Sequence, residues 1–505
     1  MLKMAACMMR PPYTYGGLKE MKNKSIFTRQ NQTLINLFRD AGHPDKVLCV
    51  PIDYAKQTHM ALFCDGSERQ LKKPFPVKNN PDGIAFLLDA IERICRKHHI
   101  KREHVFFGGE DCGTFADNFI YALREEGFVV MGVNAADAAK QRENLQASTD
   151  KLDLLGIAKM LLGKRGSIAG GQIGKERALR SLTRHRDSQV RMRTATSNRI
   201  HKIVDQLFPG FLDEKRSSIP PFSEASLYLM EDRFSPVQIA KRQDKALLRQ
   251  LKAHGLQHAE TALGKLKTYA RQVLEHPPEL VGMLQTSLAG EINLYRCLGN
   301  NINLIGREIA QQLAQTSGAM LTTIRGIGIT LAAGAVSEIG PPESQPSLRR
   351  LCSYSGIVPR VKQTGGPEKS AKTGRVSRRC NHLLKNYIVQ CGNHLGQHGP
   401  ADLEEDHRRR GANGQHADFG MARRYLRMGM RLMRNGEAYV PPELREGATL
   451  QELQSYYLHL WPQLLTKWVK SGAVHTAFRP ENPLGQWRNR IQDIYEIKLP
   501  LPKKK

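Results

Sequence analysis

Four carboxylates stand where phosphate chemistry could be done. Asp53 closes the apolar run Val47–Asp53, and Glu110 closes a second run, HVFFGGE, at 104–110. Asp150 and Asp153 follow Ser148-Thr149 at a helix start, three residues apart, and so share one helical face. Taken singly, each is an ordinary surface acid or a helix-capping carboxylate, since acids favour helix N-termini. Gathered at one point they would repel each other and resist ionisation unless cations sat between them. Hard Mg²⁺ takes such oxygen ligands, and two ions about 3.5–4 Å apart can hold the attacking and leaving oxygens of a phosphoryl transfer.

The elements that must position these acids can be read from periodicity. Val47–Asp53, His59–Cys64 and a segment near Leu71–Val77 read as strands, with the Asp65-Gly66 turn between the second and third. Asn80-Pro81 starts a helix whose face is Ile84, Leu87, Leu88, Ile91, Ile94 and Cys95. His104–Glu110, a helix through Phe115, Phe119 and Leu123, the strand Val129–Val133 and helices from Asn134 and Ser148 complete the order. This β-β-β-α-β-α-β-α order predicts an α/β, RNase H-like (RuvC-like) domain over 44–170. In such a sheet the ends of strands one and four lie side by side, and a later helix lays its acids against them. Residues 1–43 read as a loosely docked extension.

Beyond 170 the strand signals vanish. Residues 171–210 read as a basic helix: Lys175–Lys202 holds nine Lys/Arg, among them Arg184, Arg186, Arg191 and Arg193, against Glu176 and Asp187. Residues 211–317 read as a helical or coiled-coil arm and 318–441 as a second compact unit. The 442–505 segment, which carries Trp461, Trp468 and Trp487, reads as a separate tail module.

Composition narrows the partners. The 505 residues carry 76 Lys+Arg against 48 Asp+Glu, a formal net charge of +28. Such an excess is drawn to polyanions, of which nucleic acid is the foremost. No stretch approaches the about 18–20 apolar residues of a spanning helix, so no membrane partner is expected. Met1–Lys46 has no apolar signal region. Nine cysteines without a C-x-x-C pair fit reduced thiols in a cytoplasmic protein. Cys380-x-His382 and Cys391-x-x-His394 resemble a zinc quartet, but in one helix the cysteines would stand about 16 Å apart, too far for one ion.

In the second compact unit, Leu321–Gly340 reads as helix, a tight Gly326-Ile327-Gly328 turn, then an apolar helix. Glycines there let backbone N–H groups approach a phosphate, as helix-hairpin-helix segments do, although a plain helix–helix turn has the same pattern. Cations at Arg360, Lys362, Arg375, Arg378 and Arg379 would make a phosphate track.

VLCVPIDYAKQTHMALF, VFFGGEDCG and STDKLDLLGIAKML resemble the DEDD catalytic domain of the insertion-sequence "one-ten" transposases, which include Piv-type invertases and bridge-RNA-guided recombinases. Asp53, Glu110, Asp150 and Asp153 fall on that family's metal-binding acids. Pro51 stands where the family has glycine, which in a strand calls for a bulge. Asp111-Cys112 replaces the family's usual pair after the glutamate. LTTIRGIGITLAAGAVSEIG, LCSYSGIVPRVKQTGG and TGRVSRRCNHLLKNYIVQ resemble its second domain, which carries a nucleophilic serine and a basic helix. The resemblance places Thr364 at the nucleophile, with Ser355, Ser370 and Ser377 as nearby hydroxyls, and implies that Ser377 contacts phosphate. It implies a Mg²⁺-dependent recombinase, with two ions, acting on double-stranded target and donor DNA through a covalent hydroxyl–phosphate intermediate. A guide RNA and a dimer or tetramer would be its partners. A RuvC-like nuclease or junction resolvase without the covalent step, or a nucleic-acid-binding protein with impaired catalysis, are the alternatives.

Overall fold

The computed structural model describes residues 30–110, 116–142, 149–168, 175–232, 234–342, 347–362, 372–376, 380–410 and 414–503. They fall into two compact units, divided at Gly171/Gln172.

The first unit is a mixed α/β sandwich. Its elements are α1 (Gln32–Ala41), β1 (Leu48–Asp53), β2 (Thr58–Asp65), β3 (Gln70–Lys78), α2 (Pro81–His98), β4 (Val105–Glu110), α3 (Asp117–Glu125), β5 (Val129–Val133), α4 (Ala135–Ala139), α5 (Asp150–Leu162) and β6 (Ser167–Ile168). The sheet runs β3-β2-β1-β4-β5-β6, with β1, β4 and β5 parallel and the other pairings antiparallel. Central parallel strands are covered on both faces, which is why β1 and β4 are apolar almost throughout. Alternation sorts their side chains. Leu48, Val50, Ile52 and Phe107 face the core that holds Leu87, Ile91, Phe119 and Leu123 of α2 and α3. Cys49, Phe106 and Met131 face the other, with Leu34 and Leu37 of α1 and Ile157 and Leu161 of α5. Residues 30–43 are therefore not a loose extension, because α1 contributes to this second core. Asn31 caps α1 by accepting from the Thr33 N–H at 2.8 Å.

The second unit is helical, with one two-stranded ribbon, β7 (Pro359–Lys362) and β8 (Lys372–Val376). Its N-terminal helix α6 (Lys175–Leu207) is 33 residues long. It packs along the Pro278–Leu313 helix, and their far ends enclose a core that includes Phe208, Phe211, Phe234, Leu288 and Ile292. The basic helix and the arm thus share one core. The 442–505 segment is likewise no separate module: Trp461, Trp468 and Trp487 are buried in the same core as Ile309, Ile324, Ile388 and Tyr425. The helix that carries Cys391 and His394 starts at His382, capped by Asn381, and residues 372–376 form β8. Among the described residues no helix is long and apolar enough to cross a membrane.

Candidate active site

Register brings the first two acids together. Ile52 of β1 pairs with Gly109 of β4 in a parallel ladder, so Asp53 and Glu110 follow at the same level on neighbouring strands. Asp150 and Asp153 occupy the first turn of α5, whose N-cap Thr149 accepts from the Leu152 N–H. Glycines let α5 and the strand ends approach. A Cβ on Gly108 would stand 2.5 Å from Leu161 of α5, and one on Gly109 2.3 Å from the Tyr54 ring. A Cβ on Gly156 would meet the Ala138 carbonyl at 2.6 Å, so α4 also sets the seat of α5. Pro51 needs no bulge. The β1–β2 register is the same on either side of it, Cys49↔Cys64 and Ile52↔Ala61, and Pro51 itself pairs in register with Gly108 of β4.

The electrostatics are those of crowded acids. Burial pushes the Asp53 carboxyl above its ordinary value, and the charges of Asp150 and Asp153 push it further. Burial raises Glu110 too, with Asp153 and Asp53 adding to the shift. One cation answers them. Arg142 Nη2 lies 2.6 Å from Asp153 Oδ1, and its charge opposes the shifts of both Asp53 and Glu110. Glu110 Oε1 is buried without a hydrogen-bond partner. Among the described residues no three carboxylates converge closely enough to hold one ion as they stand. An orphaned buried carboxylate oxygen among mutually repelling acids nevertheless fits a hard divalent cation in its donor chemistry.

In the second unit the Gly326-Ile327-Gly328 turn follows a 3-10 segment, Ser317–Thr323, rather than an α-helix, and precedes the Ile329–Ile339 helix. Gly326 adopts φ +84°, and a Cβ there would stand 2.9 Å from the His398 carbonyl, so glycine is required twice over. Gly328 has open space around its Cα and heads the helix. The turn is pinned from inside: Lys467 Nζ donates to the carbonyls of Thr322, Ile324 and Ile327 at 2.7, 3.0 and 2.9 Å. Burial pushes its ammonium down to about 8.

The expected nucleic-acid residues divide. Arg184 is already paired: its Nε and Nη2 donate to both oxygens of Glu338, at 2.7 and 3.1 Å, while the side chain stays about half exposed. Arg193, half-buried, stacks on the Tyr295 ring at 4.2 Å, and the exposed Arg191 pairs with Asp187 one turn earlier. Arg186 is half-buried. Arg360, Lys362 and Arg375 lie on the β7–β8 ribbon. Thr364 falls between its strands in sequence and, like Ser370, Ser377, Arg378 and Arg379, lies outside the described residues. Ser355 is fully buried and donates to the Cys352 carbonyl, which makes it a poor nucleophile.

Reading the sequence missed Arg142, Glu338 and Lys467. Each acts through a partner far away or across a turn, and only the acid inside the apolar LAAGAVSEIG helix was a visible signal.

A carboxylate-bearing α/β unit followed by a basic helical unit defines the class, and comparison with known proteins places it. Residues 50–209 match the DEDD transposase family of the IS110 type, and residues 318–407 match the family described as transposase IS116/IS110/IS902. A transposase for insertion sequence element IS1328 from Yersinia enterocolitica is 36% identical over 118 residues, which is 23% of this chain and 33% of that protein. These matches support an IS110-type transposase family for the chain.

Proposed function

We propose that the chain is the transposase of an insertion element and breaks and rejoins DNA strands. The observation that carries this reading is the seating of Asp53 and Glu110 side by side on β1 and β4, with Asp153 close enough to raise both carboxyls and Asp150 that of Asp53. The β3-β2-β1-β4-β5 order, antiparallel and then parallel, supports an RNase H-like assignment. Asp53, Glu110, Asp150 and Asp153 would hold Mg²⁺, two ions by resemblance. When bound, Mg²⁺ neutralises charge on the reacting phosphate and makes a hydroxyl or water a better nucleophile. Thr364 is the proposed nucleophile: its hydroxyl would take the phosphate, forming an O–P bond as the 3′ or 5′ oxygen of the broken strand leaves. Gly326, Gly328, Arg186, Arg191, Arg193, Arg360, Lys362, Arg375, Ser377, Arg378 and Arg379 are proposed to grip the backbone. A guide RNA and a dimer or tetramer holding target and donor duplexes complete the reading, in the cytoplasm.

Incubation with end-labelled DNA and Mg²⁺, followed by denaturing electrophoresis, tests it. Label should stay with the wild-type protein, vanish with Thr364→Ala, and vanish with Asp53→Asn while DNA binding persists. Cleavage without an adduct, unchanged by Thr364→Ala, would mark a metal-and-water nuclease. Normal cleavage by Asp53→Asn overturns the metal site.

A further inference from the structure

The second unit holds a cavity of about 670 Å³ lined by six arginines, Arg410, Arg423, Arg424, Arg427, Arg431 and Arg445, against one acid, Asp406. Most of its lining lies beyond residue 407, where the match to the transposase family ends. The floor is built. Arg424 bridges Asp402 and Asp406 at 3.1 and 2.5 Å, Arg410 reaches Asp406 at 3.0 Å, and the Tyr439 hydroxyl donates to Asp402 at 2.8 Å. That spends the acids. Among the described residues, none of Arg423, Arg427, Arg431 and Arg445 has an acidic partner.

Three of these follow at intervals of four on the Gly414–Asn435 helix, so they form a row on one face with a rise of about 6 Å between guanidinium stems. All three are exposed, while Tyr425, Leu426, Met430 and Met433 of the same helix are buried and hold that face outward. Burial, together with the charge of Arg431, lowers the pKa of Arg445 more than Tyr439 and Asp402 raise it, as expected where cations crowd. A concave wall of one sign focuses its field, and guanidinium forks match phosphate oxygens in pairs.

We propose that this cavity binds consecutive backbone phosphates of a nucleic-acid strand, with Arg423, Arg427 and Arg431 each meeting one. Only the identity of the polyanion rests on the transposase reading; the cation row stands without it.

The test compares the full chain with the triple variant Arg423→Gln/Arg427→Gln/Arg431→Gln, using about 20-nucleotide fluorescent single-stranded DNA, duplex DNA and RNA across a salt series. Loss of three phosphate contacts should weaken binding about 100-fold near 0.15 M salt and make the slope of log K against log salt shallower by about 2 to 3. The polymer that loses most identifies the strand. A variant with the same charge removed from exposed positions of α2, Arg93→Gln/Arg96→Gln/Lys97→Gln, should change little. Equal losses in both triples would reduce the effect to net charge and overturn the site, as would an unchanged slope in the pocket variant. Arg427→Glu alone, with melting temperature followed, serves if the triple variant fails to fold, and unaltered binding there overturns the site too. If the wild-type chain binds none of the three polymers, the transposase reading falls. If it binds them all and the variant matches it, only the pocket falls.

Discussion

Arg142 Nη2 sits 2.6 Å from Asp153 Oδ1, each side chain about one-fifth exposed, and its charge reaches Asp53 and Glu110. A guanidinium in that position offsets the repulsion felt by Asp53 and Glu110, whose carboxyls burial already makes costly to ionise. It also competes with any divalent cation for the same oxygen.

The first prediction follows from that competition. Arg142→Ala should lower the stability of the chain in EDTA by ~1–3 kcal/mol, between the values of exposed and buried ion pairs. Mg²⁺ should restore more of the melting temperature in the variant than in wild type, with half of the gain reached at lower Mg²⁺. A Mg²⁺-induced shift equal in both proteins would show that Arg142 and the cation do not share Asp153.

Much of the first unit was legible because its signals are local. Five strands and the acids at their ends follow from runs of five to nine residues that are apolar or alternate. What escaped depends on distant partners. The two-residue β6 is too short to carry a pattern. Helix α1 has an amphipathic face, but nothing nearby tells that Phe38 will lie against Phe106. Pro51 looked like a strand defect, because the ladder bond that it lacks is a matter of which neighbour lies on which edge. The charge run of α6 concealed that Arg184 answers a buried acid, since that acid comes 154 residues later. The tryptophans looked like a tail module because composition shifts there, whereas burial depends on what they pack against.

A second prediction concerns that distant acid. The Glu338 side chain is 1% exposed and is bonded by Arg184, by Asn381 at 2.7 Å, and by Arg180 at 3.3 Å. Burial pushes its carboxyl up, but the Arg184 hydrogen bond, the Arg180 charge and Asn381 outweigh it and leave it below the ordinary value. Arg184→Ala should cost the second unit about 1–3 kcal/mol, because the buried carboxylate keeps Arg180 and Asn381 but loses one of its two guanidinium partners. The pH dependence has a definite sign. With the folded pKa below the unfolded one, the stabilisation is present above the unfolded carboxylate value and is lost as pH falls through the folded one. Glu338→Gln should flatten that acid limb of a melting-temperature profile. An unchanged limb would show that other carboxylates carry it.

The glycines beneath the acids give a third. Gly109→Ala would drive a methyl into the Tyr54 ring and the Ile52 carbonyl, 2.3 and 2.4 Å from the new Cβ. Tyr54 is buried and directly follows Asp53, so the strand end that presents the carboxylate must shift. An overpacking cost of about 1–3 kcal/mol is expected, with Mg²⁺-dependent cleavage reduced well beyond what the lost stability explains. Gly127→Ala is the control: its φ of +85° makes it mildly destabilising, but nothing lies within 4 Å, so cleavage should be kept. Equal activities at matched folded fractions would show that the Gly109 contact does not position Asp53.

The fourth prediction concerns the pinned turn. An ammonium has three donors, and Lys467 Nζ points them at three carbonyls from 322, 324 and 327, residues that are fully buried. The turn itself bends at Gly326, where only glycine suits both the dihedral and the His398 carbonyl. Lys467→Met keeps the apolar stem but leaves three acceptors short of a donor. At about 1–3 kcal/mol per unsatisfied buried group, partly relieved by water, the loss should be roughly 2–5 kcal/mol. Thr322 Oγ1 also accepts from the Trp468 indole at 3.1 Å, so the 450–471 helix and the turn should loosen together. Hydrogen exchange reads this directly: amides of 322–327 should lose protection in Lys467→Met, along with those around Trp468. Faster exchange confined to the 450–471 helix would mean that the Gly326 turn is held by its own packing and that the lysine merely covers it.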